Sequence, residues 1–337
     1  MLEDWTSLKM KETCIVLDEM FCENPVLAIV VPCYNESDVL PVTHQLFLEQ
    51  LKRLVEMRLV SDKSYILYVD DGSSDNTWEL IEEYSKSSHF EGISLSRNRG
   101  HQNALLAGLL YAMNRSDVTI SIDCDGQDDI SKTEEMLRLF HTGIDVVYGV
   151  RSSRETDTFF KRNSAQLFYR LLNSLGAEVV YNHADYRLLS KRALTALAEY
   201  KEVNLYLLGL VPLLGFKSAT VEYKREERLA GSSHYPLRKM IKLAVDGVTS
   251  LSVKPIKLIT SFGFIFSVIG FIGVIWAIVK LLIGATVPGW ASIVCALCIF
   301  SGVQLLALGV MGEYIGRIYL EEKHRPRFII AKSTFSD

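Results

Sequence analysis

A disulfide framework is the first thing this chain lacks. Its six cysteines, at 14, 22, 33, 124, 295 and 298 of 337 residues, form no such pattern, and a cytoplasmic address would keep them reduced. Cys295 and Cys298 have CxxC spacing but lie in an uncharged run without nearby histidines, so they read as packing residues. A cationic excess is also missing: 36 Lys and Arg stand against 40 Asp and Glu, a formal net charge of −4. The cations gather beside apolar runs and make no separate basic face, which argues against nucleic acid as a partner. No secretory signal is visible, because the N-terminal stretch is charged and its only early apolar run, Val26 to Val31, is too short. Residues 1–25 show no clear period and read as an N-terminal extension.

What the chain has in plenty is apolar sequence, 49% of its residues. Leu258 to Val279 carries no charge, and a second uncharged stretch runs from Leu281 to Gly312 through Pro288 and Trp290. Each is long enough to cross a hydrocarbon core about 30 Å thick as a helix, and Gly284, Pro288 and Gly289 supply a turn between them. Arg238, Lys239, Lys242, Lys254 and Lys257 precede the first span, and Arg317, Lys323, Arg325 and Arg327 follow the second. Positive flanks stay inside. The expectation is a juxtamembrane segment at 236–257, a two-helix hairpin over 258–312 and a cytoplasmic tail at 313–337, in a multi-pass membrane protein with its N-terminal domain in the cytoplasm.

That domain alternates short β-branched runs with helical patterns. Strands are expected at Val26–Val31, Tyr65–Val69, Ile93–Leu95, Val118–Ile122, Val146–Tyr148 and Ala219–Tyr223, with helices near 38–57, 75–87, 101–114 and 131–141. This is the signature of a doubly wound, parallel α/β sheet, whose ligands bind outside the carboxyl ends of the strands. Polar motifs fall there in succession. Pro32, Tyr34 and Glu36 follow the first strand; Asp70 and Asp71 end the second and lead through Gly72 into a capped helix start; Arg97 and Arg99 follow the third. After the fourth come Asp123, Asp125 and Gln127, in an acidic cluster suited to Mg2+ or Mn2+ serving a diphosphate. Arg151 and Arg154 follow the fifth. The amphipathic stretch 159–175 reads equally as a bilayer-surface helix and as a cover for the sheet. The segment from Arg225 to Tyr235 has cations and hydroxyls suited to a phosphate delivered from the membrane plane.

The motifs VPCYNE, DDGSSDNT, SRNRGHQNALLAG, DCDGQDD, Asp185-Tyr186-Arg187-Leu188 and RLAGSSHYPLRKM, followed by two spans, resemble in order the family 2 glycosyltransferases of the polyprenyl-phosphate type. That group includes bactoprenol glucosyltransferases and dolichyl-phosphate mannose synthase. The resemblance implies a GT-A, Rossmann-like catalytic domain over 26–235. Pro32, Tyr34, Glu36, Asp70 and Asp71 match nucleotide-binding positions, with Arg97 and Arg151 beside them. Asp123, Asp125 and Gln127 match the positions that hold the divalent cation and donor diphosphate, Asp125 foremost. Asp185 and Arg187 match a pair near the sugar and acceptor phosphate. Arg228, Ser232, Ser233 and Tyr235 fall in a loop thought to meet the lipid phosphate. His101 and His234 depart from the pattern, standing where several relatives have lysine.

The expected reaction is inverting transfer of a hexose, glucose from UDP-glucose, to undecaprenyl phosphate, feeding surface-glycan modification such as that of O-antigen. Arg228 would orient the acceptor, with Arg151 and Arg187 as second clamps. The resemblance further implies a homo-oligomer, a tetramer by analogy, and a functional link to a flippase; the chain's likeness to bacterial enzymes implies the inner membrane of a bacterium. Alternatives are another donor (UDP-N-acetylglucosamine, GDP-mannose or a UDP-aminoarabinose derivative) and a catalytically silent nucleotide-sugar binding protein. A processive synthase is disfavoured by two spans and no evident QxxRW segment.

Overall fold

The computed structural model describes residues 24–152, 183–202, 207–225, 254–283 and 289–335. In chain order the strands and helices are β1 (Leu27–Cys33), α1 (Leu40–Glu56), β2 (Tyr65–Asp70), α2 (Thr77–Tyr84), β3 (Phe90–Leu95), α3 (His101–Ala112), β4 (Val118–Ser121), α4 (Thr133–His141), β5 (Val146–Arg151), β6 (His183–Ser190), α5 (Lys191–Ala198), α6 (Leu207–Leu213), β7 (Ser218–Tyr223), α7 (Lys254–Leu282), α8 (Trp290–Glu322) and β8 (Ile330–Ser333). The strands form one eight-stranded sheet in the order β7-β5-β6-β4-β1-β2-β3-β8. β6 is antiparallel to β4 and β5, β8 is antiparallel to β3, and the remaining pairs are parallel.

The central strands are apolar without alternation because both of their faces are covered. Leu27, Ile29 and Val31 of β1 pack in one core with Phe47 and Leu51 of α1 and Met136 and Phe140 of α4. Ala28 and Val30 turn the other way, onto the Ala104–Ala112 stretch of α3. α3 lies very close to the sheet: a Cβ on Gly108 would come within 2.4 Å of Val30 and 2.6 Å of Val69. The six strands expected from the sequence are all present, each within three residues of the expected ends.

Two strands were not anticipated. β6 alternates Asp185 and Arg187 with Tyr186 and Leu188, and its charged residues weaken the apolar signal of a buried strand. β8 lies in what reads as the C-terminal tail. There Phe328 packs against the α3-side core, Ser96 N–H donates to Ile329 O at 2.9 Å, and Thr334 N–H donates to Gly92 O at 2.9 Å. The stretch thus closes the edge of β3, which would otherwise expose a row of unpaired backbone groups.

The chain divides into two compact units: one holds the sheet and includes Pro326–Asp337, and the other holds α7 and α8. Within α7, Ile256–Lys280 is the one helix among the described residues long and apolar enough to cross a membrane. Phe264, Phe271 and Trp276 are exposed along it, as side chains facing lipid would be. α8 has 33 residues and carries Glu313, Arg317, Glu321 and Glu322 towards its end. The 284–288 connection lies outside the described residues. So do residues 1–23, the amphipathic stretch 159–175, and the 226–253 segment that contains Arg228, Ser232, Ser233, His234 and Tyr235.

Candidate active site

The loops after β1, β2 and β3 are zipped together by side-chain to backbone bonds. Asn35, at φ 54°, donates its N–H to Ser73 Oγ at 2.9 Å and accepts from Ser74 N–H through Oδ1 at 2.9 Å. Glu36 N–H donates to Thr77 Oγ1 at 2.9 Å. Asp70 accepts from Ser73 N–H (3.0 Å) and from Ser94 Oγ (2.6 Å). Asp71 accepts from the N–H groups of Arg99 and Gly100 at 2.7 and 2.8 Å. Both carboxylates are buried, and burial pushes the Asp71 carboxyl up against the lowering effect of its two backbone donors. Their bonds set the shape of the loops at this edge of the sheet. Pro32 is buried at the end of β1, whereas Tyr34 and Arg97 are exposed. Gly72, at φ 67°, passes so close to the third loop that a Cβ there would lie 2.6 Å from the Arg97 carbonyl carbon.

β4 delivers the acidic cluster. Gly126, at φ 68°, makes the turn, and Gln127 N–H closes it on Asp125 Oδ1 at 3.1 Å. Asp125 and Asp128 are 7% and 6% exposed. Asp123 Oδ1 and Asp128 Oδ2 are buried without a hydrogen-bond partner. Burial raises the Asp123 carboxyl to about 6; the charge of His101 opposes this, and Asp128, Asp185 and Asp125 add to it. Among the described residues, no group of three or more His, Cys, Asp and Glu side chains is arranged to hold a metal ion by itself.

Because β6 runs beside β4 with Arg187 opposite Ser121, Asp185 falls just past the end of β4, next to Asp123. Asp185 Oδ2 lies 3.0 Å from His101 Nε2 and accepts from Gln102 Nε2 at 3.0 Å, while Oδ1 accepts from Arg187 Nη2 at 2.7 Å. His101 Nε2 is also 3.6 Å from Asp123 Oδ1, so the imidazole bridges two carboxylates. Its side chain is 43% exposed; partial desolvation beside the carboxylates favours the neutral form, but the Asp185 bond and the two negative charges outweigh that and raise its pKa to about 9. Asp185 shows the reciprocal balance: burial would raise it, and His101, Arg187 and Gln102 hold it well below the usual carboxylate range.

The structure therefore brings together Asp123, Asp125, Gln127, Asp185 and Arg187, flanked by Arg151. For Arg187, expected as a phosphate clamp, it shows two guanidinium nitrogens on protein acceptors. That side chain is 1% exposed, with Nη2 on Asp185 at 2.7 Å, Nη1 donating to Leu207 O at 3.2 Å and Nε buried without a partner. Sequence reasoning did not single out Gln102, Asp128, Tyr186, Tyr223 or Arg225 for this site. Gln102 bonds both Asp185 and, through Oε1, the Leu207 N–H at 3.1 Å. Its place after His101 within SRNRGHQNALLAG was the available signal.

A match to the family described as "Glycosyl transferase family 2" spans residues 28–197. The chain is 50% identical over 307 residues to "Uncharacterized glycosyltransferase YkoT" of Bacillus subtilis (strain 168), covering 91% of each. It is 36% identical over 307 residues to "Bactoprenol glucosyl transferase" of Shigella phage SfV, covering 90% of this chain and 97% of that one. Identity to "Prophage bactoprenol glucosyl transferase homolog" of Escherichia coli (strain K12) is 34% over 309 residues, covering 91% and 98%.

Proposed function

The chain belongs to glycosyl transferase family 2 and is a glycosyltransferase, and we propose that it transfers glucose from UDP-glucose to polyprenyl phosphate at the cytoplasmic face of a bacterial inner membrane. The observation that carries this reading is the meeting of Asp123, His101 and Asp185 at the ends of β4, α3 and β6, in a chain similar along most of its length to bactoprenol glucosyl transferases. The apolar stretch Ile256–Lys280 supports a membrane location, and α8 is proposed as the return span of a hairpin.

A divalent cation fits the donor set. Asp123 Oδ1 is buried and without a hydrogen bond; burial, with the neighbouring carboxylates adding to it, raises its pKa to about 6, and incoming positive charge would favour the ionised form. Asp123 and Asp125, with Gln127 assisting, would hold Mg2+ or Mn2+. When bound, the cation would neutralise charge on the departing diphosphate. Tyr34 and Arg97 are exposed for the nucleotide, and Pro32, Glu36, Asp70 and Asp71 shape the loops around it. Arg151 is assigned to the donor side.

The acceptor phosphate is an anion near neutral pH, so its oxygen can attack the anomeric carbon opposite the leaving UDP without a strong general base, and the configuration inverts. Catalysis then rests on positioning. Asp185, kept ionised and held by three side chains, is assigned to orienting the sugar, with Arg187 fixing Asp185 from behind. Arg228, Ser232, Ser233 and Tyr235 are assigned to the lipid headgroup.

The test is mass spectrometry of lipid recovered after incubating purified protein with undecaprenyl phosphate and a panel of nucleotide sugars. The expected product is a hexosyl phospholipid from UDP-glucose, lost with EDTA and in Asp125→Ala. Product from a different donor alone would reassign the sugar, and no product from any donor would reject lipid transfer.

A further inference from the structure

Three consecutive residues of the acidic loop are gripped from the far side of the sheet. Arg225 Nη2 donates to Gln127 Oε1 at 2.6 Å, the Tyr223 hydroxyl donates to Asp128 Oδ1 at 2.6 Å, and the Tyr186 hydroxyl donates to the Asp129 carbonyl at 3.1 Å. The sheet places both phenols. Tyr186 lies in β6, and Tyr223 ends β7 directly opposite Arg151 of β5. Their rings meet edge to face, with centroids 5.4 Å apart at 77°, in a geometry that aromatic quadrupoles favour. Both rings are buried.

Core packing alone would be served by phenylalanine at either place, since a buried hydroxyl must find a partner or cost free energy. Here each hydroxyl reaches out of the core to the same loop. Arg151 Nε donates to the Tyr223 oxygen at 3.4 Å, so this phenol accepts from a guanidinium and donates to a carboxylate. The loop is also held from within, where Asp129 Oδ1 accepts from the Ser131 N–H and hydroxyl at 3.0 and 2.6 Å. Its turn at Gly126 is closed by the Gln127 N–H to Asp125 Oδ1 bond, and Asp128 is buried with one oxygen lacking a hydrogen-bond partner. A turn of this kind takes its shape from what holds its end.

We propose that Tyr223 and Tyr186 are positioning residues that fix the end of the acidic loop, so that Asp123 and Asp125 face the donor diphosphate and its cation. Tyr223 also ties that loop to β7, the strand that runs within three residues of the segment assigned to the acceptor. The inference rests on the donor side of the function proposed above and deepens it.

The experiment uses full-length protein in detergent, with UDP binding measured calorimetrically in Mn2+ and in EDTA, beside thermal melting and steady-state transfer. Tyr223→Phe keeps the ring and removes only the hydroxyl. Its Mn2+-dependent gain in UDP affinity is expected to fall at least tenfold and kcat to fall with it, while UDP affinity in EDTA stays near wild type and Tm falls by a few degrees because buried Asp128 loses its donor. Tyr186→Phe, which loses a bond to a neutral carbonyl, is expected to lose at least threefold and supplies the test if Tyr223→Phe does not fold. A gain within twofold of wild type in the folded variants overturns the proposal. So does a parallel fall in Tm and in both affinities, the mark of packing alone, and so does a wild type that shows no Mn2+-dependent gain. A wild type that shows the gain and the variant losses but makes no lipid product rejects the acceptor assigned above and leaves this inference standing.

Discussion

Arg187→Lys separates a phosphate clamp from a residue that positions Asp185. The wild-type guanidinium, 1% exposed, serves Asp185 Oδ1 at 2.7 Å and Leu207 O at 3.2 Å with two different nitrogens. Lysine keeps the charge but ends in one compact ammonium, which cannot reproduce the two-pronged geometry. With the ammonium drawn to Asp185, the Leu207 carbonyl is left buried and unpaired, a loss of about 1–3 kcal/mol. Asp185 keeps His101 and Gln102, so the carboxylate is loosened rather than abandoned. Each kcal/mol corresponds to a fall of about 2–4 °C in Tm for a domain of roughly 150–250 residues. Thermal melting in detergent should therefore show a clear drop, and kcat should fall while KM for polyprenyl phosphate stays within about twofold, since binding and turnover report different losses. An unchanged Tm with a tenfold rise in that KM would refute the reasoning, because the guanidinium would then have to reach the headgroup.

Gly72→Ala forces a Cβ to within 2.6 Å of the Arg97 backbone at φ 67°. The left-handed backbone costs about 1–2 kcal/mol and the overpacking about 1–3 kcal/mol, so a lower Tm and weaker UDP binding are expected; a variant as stable as wild type counts against the close approach. Asp75→Asn tests a pH dependence. Burial would raise the Asp75 carboxyl, but bonds from Thr77 and Ser37 hold it below the usual value. The stabilisation is thus present above the unfolded carboxyl's pKa of about 3.9 and is lost as pH falls through the lowered folded value. The difference in urea midpoint between wild type and Asp75→Asn should shrink on going from pH 7 to pH 3, and a pH-independent difference would contradict it. Removing residues 328–337 should lower Tm and raise light scattering by uncovering the β3 edge, whereas unchanged melting and solubility would show that β8 contributes nothing.

The parallel strands were legible because each is a short β-branched run that ends in a polar motif, and the physics of a doubly covered sheet leaves little else for such runs to do. Asp123 and Asp185 were both marked, the first by the strand before it and the second by resemblance alone. Their adjacency was hidden, because it depends on β6 inserting antiparallel between β4 and β5, and nothing in Asp185-Tyr186-Arg187-Leu188 announces a strand direction. The surroundings of Arg187 were hidden for a related reason. Arginine in a motif suggests an anion, and only burial reveals that its anion is a neighbouring carboxylate. β8 was illegible because its stability comes from pairing with β3 and from Phe328 in the core, while its own four side chains are exposed.

The same burial explains how the site distributes charge. Four carboxylates, Asp123, Asp125, Asp128 and Asp185, act on one another through a partly desolvated space. Arg187 is committed to Asp185, and the charges of Arg151 and Arg225 act on Asp128 from the ends of β5 and β7. Asp123 has His101 at 3.6 Å, a cation already shared with Asp185 at 3.0 Å. A closer partner binds an ion more strongly in a medium of low dielectric, so His101 satisfies Asp185 first and Asp123 second. This matches the opposite displacement of the two carboxyls, Asp185 down and Asp123 up. Asp123 is thus left at the mouth of β4 with one carboxylate oxygen buried and without a hydrogen-bond partner, at the position proposed above for a cation-bearing diphosphate.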